Sequence, residues 1–173
     1  MNYILETEKL KLRELTMDDT SFIIELVNST GWLKYIGDRN IKTTEQAKSY
    51  LENGPLKSYQ ESGFGLWLVE TKDTKNPIGM CGLLRRDYLN HPDIGFAFLP
   101  EFIGKGFGFE AAAATLSLAK DQLKILTLYA ITMPTNYASI KLLEKIGMKF
   151  IKSISPHGSQ EELHLYQVSF FQK

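Results

Sequence analysis

Cysteine is almost missing from this chain: Cys81 is the only one in 173 residues. A single thiol excludes an intrachain disulfide framework. At this length a fold buries roughly 70% of the surface its unfolded chain exposes, so it needs neither a disulfide nor a metal staple. Cys81 sits inside an apolar run and reads as a small core residue of a cytoplasmic protein. Neither sign of charge is in excess, with 20 Lys and Arg against 20 Asp and Glu. Nothing global therefore draws the protein to nucleic acid or to an acidic membrane surface. No apolar run approaches the ~20 residues of a membrane span. Charges at Glu6, Glu8, Lys9, Lys11 and Arg13 leave no room for a signal-peptide core. The three histidines, His91, His157 and His164, form no constellation, and no metal site is expected. No repeat, low-complexity tract or linker divides the sequence, so the expected organisation is one domain over residues 1–173.

What is present is concentrated between Asp93 and Ala119. A short apolar run, Ile94 to Leu99, empties into Gly104-Lys105-Gly106-Phe107-Gly108, followed by Phe109, Glu110 and an uncharged helical pattern from Ala111. A strand that passes through glycines into a helix start leaves several N–H groups unpaired and pointing one way, an arrangement that suits a phosphate. Lys105 adds a positive charge there. The same glycines also serve a plain strand-to-helix turn, and that reading stays open. Two familiar phosphate loops do not fit. The dinucleotide pattern requires a small residue where this chain has Phe109, and the nucleotide-hydrolase loop requires Ser or Thr where it has Gly106.

The remaining elements alternate. Leu10 to Arg13 reads as a half-exposed strand. Thr16-Met17-Asp18-Asp19 starts a helix with Phe22, Ile23, Leu26 and Val27 on one face, ending near Asn28 to Gly31. Thr43-Thr44-Glu45-Gln46 starts a second helix, interrupted at Gly54-Pro55. Phe64 to Glu70 and Ile78 to Arg85 form a hairpin, Ile94 to Leu99 a further strand, and Leu126 to Thr132 a buried one. A helix follows from Tyr137 to Lys145, closed by Gly147, and Phe150 to Ile154 with Leu163 to Val168 make a last hairpin. The expected fold is α/β: a mixed, mostly antiparallel sheet of about seven strands flanked by about four helices.

This order resembles the Gcn5-related N-acetyltransferase (GNAT) family, in particular the branch of the bacterial ribosomal-protein N-terminal acetyltransferases. The resemblance rests on the opening Leu5 to Arg13, on Trp32 to Gly37, and on Asp93-Ile94-Gly95-Phe96. It also rests on Gly104 to Ala111, and on Asn136-Tyr137-Ala138-Ser139 leading to Leu143-Glu144-Lys145-Ile146-Gly147-Met148. It implies an acetyl-CoA site, with CoA as product. The pyrophosphate would rest on amides of Gly104, Lys105, Gly106, Phe107, Gly108 and Phe109. The pantetheine would pair like an added strand with Phe98 and Leu99, across an edge left open before the Leu126 to Thr132 strand. Asn136 matches a cofactor-contacting position, although Asn also favours helix N-caps in its own right. The family's usual Gln or Arg is Ile103 here, which removes a side-chain clamp but no amide.

The implied chemistry is acetyl transfer to a primary amine, a protein N-terminus or a small molecule, by direct attack in a ternary complex. A strand amide near Phe98 or Leu99 would polarise the carbonyl. The family's usual tyrosine acid is replaced by Leu143, and Ser139 matches the acid of this branch, either donating a proton to the departing sulfur or only orienting it. Asp93 is the candidate base acting through water, against the plainer reading of a solvated strand-edge acid. Glu101 and Glu110 are further candidates, with Glu110 better suited to stabilise its own helix N-terminus. Trp32, Tyr35 and Trp67 are candidates for the acceptor wall or for the core, and His157 for the rim. An α-amine is roughly 10–20% neutral at pH 7 and a lysine less than about 0.1%, which favours α-amines and other low-pKa amines at a site without a strong base. Two other classes remain in play: a non-catalytic acyl-CoA sensor, suggested by Leu143, and a nucleotide-binding domain, resting on the glycines alone. Monomer and homodimer are equally compatible with the sequence.

Overall fold

A computed structural model describes residues 2–171; the expected domain limits Met1 and Lys173, together with Gln172, lie outside the described residues. One eight-stranded sheet runs through the chain in the order β1-β2-β3-β4-β5-β6-β8-β7. Its strands are β1 (Tyr3–Glu6), β2 (Leu10–Arg13), β3 (Leu66–Thr71), β4 (Pro77–Leu84), β5 (Asp93–Phe98), β6 (Thr127–Thr132), β7 (Lys149–Ile154) and β8 (Leu163–Ser169). Every neighbouring pair is antiparallel except β5 and β6. The strand beyond the seven expected is β1, an edge strand hydrogen-bonded only to β2.

The helices are α1 (Thr20–Val27), α2 (Thr30–Tyr35), α3 (Thr44–Leu51), α4 (Lys57–Ser62), α5 (Phe107–Asp121) and α6 (Tyr137–Lys145). Both expected starts are capping boxes: Thr16 with Asp19, and Thr43 with Gln46. The chain does not break at Gly54-Pro55. Residues Glu52–Leu56 instead form a π turn that joins α3 to α4 and places the proline without ending the helical path. The helix α2 was not expected from the sequence. It is six residues long and is anchored by Trp32, which is buried against the α1 and α3 side chains.

The two faces of the sheet carry separate cores. Trp67, Val69, Cys81 and Leu83 pack with Ala111, Ala112 and Ala119 of α5, whose small side chains bring the helix close to the sheet. Leu68 and Met80 pack with Ile23, Leu26 and Leu51 of α1 and α3 on the other face. Cys81 has the structural role expected of it: it is fully buried, contacts the Thr115 hydroxyl at 3.4 Å, and burial pushes its thiol up to about 12.

Across the β2–β3 pair lies a buried ionic network. Arg13 donates from Nη1 and Nη2 to the two oxygens of Asp19 (3.0 and 2.9 Å). Its Nε sits 3.5 Å from Glu70 Oε2, and Tyr3 Oη donates to the other Glu70 oxygen at 2.7 Å. The Asp19 carboxylate also accepts from the Thr16 amide at 2.7 Å, so the network and the cap of the 3-10 turn Met17–Asp19 that leads into α1 share one side chain.

Candidate functional site

Strand β5 pairs with β4 throughout its length, but it meets β6 at a single residue pair, Asp93 with Tyr129. Beyond that pair the two strands part. The Leu99 amide donates back to Ile78 of β4 at 2.9 Å. Strand alternation therefore turns the backbone groups of Phe96 and Phe98 the other way, toward β6, where no strand partner meets them. The open edge required for an added strand is thus present.

Leu99 leaves the candidate set. Its amide is hydrogen-bonded to Ile78, its carbonyl accepts from Phe102, and its side chain is 4% exposed within the α1/α3 core. Phe96, which was not singled out in the sequence, takes its place. The signal that identifies it is hydrogen-bond parity, which residue order alone does not reveal.

The open edge leads into the glycine loop. Gly104 and Gly106 have φ of 78° and 86°, and an added Cβ at either would meet nothing within 4 Å. What these positions require is the left-handed backbone conformation rather than space. The hydrogen-bond ladder of α5 begins with Glu110 N donating to Gly106 O, so the amides of Phe107, Gly108 and Phe109 have no partner within the helix. Three free N–H groups at the positive end of a fifteen-residue helix form an anion cradle. The Lys105 ammonium lies 5.6 Å from the Phe102 ring centre and its side chain does not line the cleft, so at this residue the loop offers backbone. Phe107 likewise contributes its amide, with its side chain packed against the α5-side core.

A continuous cleft of about 1380 Å³ follows the parting, bounded by Phe96, Phe98 and Gly108 on one wall and by Ile131, Asn136 and Ser139 on the other. Asn136 is the N-cap of α6, its Oδ1 accepting from the Ser139 amide at 3.2 Å; the capping reading holds, and the side-chain amide nitrogen is the group left for a ligand. Ser139 is half-buried on the first turn of α6, with its hydroxyl free of any hydrogen bond among the described residues.

Asp93 also borders the cleft, at the point where β5 and β6 meet. It is not a solvated edge acid: it is 0% exposed, and Arg86 Nε donates to both of its oxygens at 3.1 and 3.0 Å. Burial pushes its carboxyl up to about 6 even though the Arg86 guanidinium pulls the other way. A carboxylate titrating there is ionised at pH 7 yet basic enough to accept a proton. Arg86 was also missed in the sequence, where nothing linked it to Asp93. Glu110, by contrast, is occupied elsewhere: its Oε1 accepts from Lys9 N at 2.8 Å and from the Thr7 hydroxyl, fastening α5 to the β1–β2 turn. Glu101 is exposed in the turn after β5 and does not line the cleft.

A family model described as an acetyltransferase (GNAT) domain matches residues 9–149. The chain belongs to the GNAT acetyltransferase family. It is similar to the uncharacterized N-acetyltransferase YoaA of Bacillus subtilis, at 31% identity over 148 residues, covering 84% of this chain and 82% of that protein. It is also similar to YkkB of the same organism, at 29% identity with 87% of each chain covered. Among solved structures, an acetyltransferase from Agrobacterium tumefaciens superposes with a TM-score of 0.81 at 22% identity, over 98% of this chain and 95% of that one. RimL, a ribosomal L7/L12 α-N-protein acetyltransferase in complex with coenzyme A, does so with 0.83 at 14% identity, over 97% and 98%.

The GNAT assignment makes the chain an acetyltransferase and sets aside the nucleotide-binding reading, which rested on the glycines alone. A further feature of this GNAT domain departs from what the sequence suggested. Trp67 is 2% exposed and packs on the α5 face, away from the cleft, so it belongs to the core and not to an acceptor wall. Trp32 and Tyr35, carried on α2, do line the cleft, as does His157 in the turn between β7 and β8. His157 Nε2 lies 3.0 Å from Asp87 Oδ1, and its ring stands edge-on to Tyr88 at 5.3 Å, so the last hairpin touches the β4–β5 loop. Leu143 borders the cleft with a side chain that is 1% exposed and cannot donate, and Ile103 is 54% exposed.

Proposed function

We propose that this protein moves an acetyl group from acetyl-CoA to a primary amine, a peptide N-terminus or a small amine, within a ternary complex in the cytoplasm. The observation that carries the reading is the open edge of β5 running directly into the unpaired amides of α5. That is the shape and polarity of a pantetheine arm ending in a diphosphate. The residues fit the cofactor: Phe96 and Phe98 offer backbone to the arm, and the Gly104 to Phe109 segment offers amides to the phosphates. Asn136 offers its side-chain amide, and Lys145, which borders the cleft, adds charge.

When bound, acetyl-CoA supplies an activated acyl carbon: the amine nitrogen bonds to it, the carbon–sulfur bond breaks, one proton leaves the nitrogen and one is taken up by the sulfur. The chain's part is to place these groups and move the protons. The Phe98 amide, unpaired and facing the gap, is the donor for the carbonyl oxygen as negative charge develops on it. Asp93 takes the proton of the amine through water. Ser139, whose hydroxyl is uncommitted, donates to the departing sulfur. Low-pKa acceptors such as α-amines suit a base of this strength, because a usable fraction is already neutral at pH 7.

Calorimetric titration with acetyl-CoA, with CoA and ATP as comparators, tests the reading. One-to-one binding of acetyl-CoA and CoA with no heat from ATP is expected; absence of acetyl-CoA binding would overturn it. Ser139→Ala is expected to lower kcat by about 10²-fold, the lower end of what a positioned acid contributes, while leaving the Kd for CoA unchanged. An unchanged kcat would remove Ser139 from the proton path.

A further inference from the structure

We propose that the acceptor carries a carboxylate close to its amine, and that Arg39, Arg85 and the indole N–H of Trp32 receive that carboxylate. The proposal rests on the acetyl-transfer reading above and names the acceptor class for the same cleft. Beyond Asp93, away from the α5 cradle, the cleft is bordered by side chains of both signs. Most of these charges are already matched. Lys57 lies 3.7 Å from Glu61, and Arg86 holds Asp93 at 3.0 Å. Arg39 and Arg85 form no ion pair among the described residues. The acceptor end therefore holds two unmatched guanidinium groups against a single unmatched acid, Glu161.

Their settings differ in a useful way. Arg85 directly follows β4 and lies 5.7 Å from the centre of the Phe64 ring, so packing orients its stem while its N–H groups remain free. Arg39 comes from the loop between α2 and α3 and acts electrostatically on the Tyr50 phenol, which lines the same cleft. Arg85 thus belongs to the sheet and Arg39 to a loop of the helical layer, and both line the cleft.

An independent observation points to the same ligand. Trp32 lines the cleft, is 6% exposed, and its Nε1–H is buried with no hydrogen-bond partner. A buried donor left unpaired is costly, and such groups are ordinarily satisfied. Binding of a substrate oxygen here requires the indole edge, shielded from solvent in this structure, to turn into the cleft that the ring lines. A carboxylate suits all three residues at once, being acceptor-only and able to engage a planar guanidinium fork. A polyamine suits none of them, because it brings only donors and positive charge.

The test is a matched acceptor panel with acetyl-CoA: aspartyl-alaninamide against asparaginyl-alaninamide, alanine against alaninamide, and spermidine as the polycation. The wild type is expected to turn over the acidic member of a pair with kcat/KM about tenfold above its amide, the margin of one charge-assisted contact. Arg39→Gln and Arg85→Gln are each expected to collapse that ratio by raising KM for the acidic acceptor while kcat is kept. Trp32→Phe is expected to raise the same KM. Equal rates within the pairs, or a preference for spermidine, would overturn the inference and leave acetyl transfer standing. A preference that survives both arginine substitutions would overturn the residue assignment. Turnover of no amine at all would bring down the acetyl-transfer reading itself. The dipeptide and free amino acid arms separate a peptide N-terminus from a free amino acid as the source of the carboxylate.

Discussion

Asp93→Asn is expected to lower kcat/KM by about 10²–10³-fold, within the range for loss of a positioned general base. The pH profile makes this specific. In the wild type two groups must lose protons for reaction: the acceptor amine, near 8 for an α-amine, and Asp93, which burial holds at about 6. Log kcat/KM should therefore rise with a slope of one between pH 6 and 8 and steepen toward two below pH 6. The asparagine variant loses the lower ionisation, so its slope stays at one down through pH 5. Asparagine keeps the shape of the side chain, and the Arg86 side chain, 30% exposed, has solvent available once its carboxylate is neutralised. A thermal melt close to wild type, together with the altered slope, distinguishes a base from a group that only holds the strand end. An unchanged profile would sink the assignment.

Arg13→Met is expected to destabilise the fold by about 3–5 kcal/mol, the cost of leaving a buried charge without its partner. Arg13 and Asp19 side chains are each 9% exposed and Glu70 is 5% exposed, so both carboxylates would be stranded out of water. Asp19 also closes the capping box of the 3-10 turn that leads into α1. Urea unfolding at pH 7 measures the loss directly. The sign of its pH dependence follows from Asp19. Hydrogen bonds from Arg13 and from the Thr16 amide outweigh burial and hold its carboxyl below the ordinary value. Its contribution is therefore fully present above about pH 4, and is lost as pH falls through the lower native value. The gap between wild type and variant should narrow as pH falls, starting above pH 4, because Asp19 loses the Arg13 hydrogen bonds in the variant and burial then raises its carboxyl, and ending as pH passes the lower wild-type value. A gap that stays constant over that range would show that the pair does not act through Asp19 ionisation.

The sequence made much of this architecture legible, and what it hid has physical causes. The helix over Tyr137–Lys145 and the start at Thr43 could be placed because Asn136, Gly147 and the Thr43–Gln46 box are local signals, read without knowledge of tertiary contacts. The helix α2 could not, because six residues with Gly31 inside have little intrinsic tendency to coil; burial of Trp32 holds them. The assignment of Trp67 to the acceptor wall failed for a related reason. Leu66, Trp67, Leu68 and Val69 are all apolar, so the strand lacks the alternation that would show which face meets the cleft. The backbone of Leu99 was misjudged because hydrogen-bond parity depends on which residue of β4 it faces. At the charged sites, Asp93 could be picked out, but its partner Arg86 could not, since only the close of the β4–β5 loop brings them together.

The meeting of α5 with α6 gives one glycine a particular place. The sheet is joined across its middle by one parallel residue pair, and the gap beyond it is flanked by α5 and α6. At Gly108 an added Cβ would come within 3.0 Å of Leu142 Cδ1 on α6 and 3.6 Å of the Phe98 ring on β5. A methyl group there would push the Leu142 tip aside by a few tenths of an ångström and rest in ordinary contact with the Phe98 ring, so the missing side chain is what lets α5, α6 and the open end of β5 close on one point.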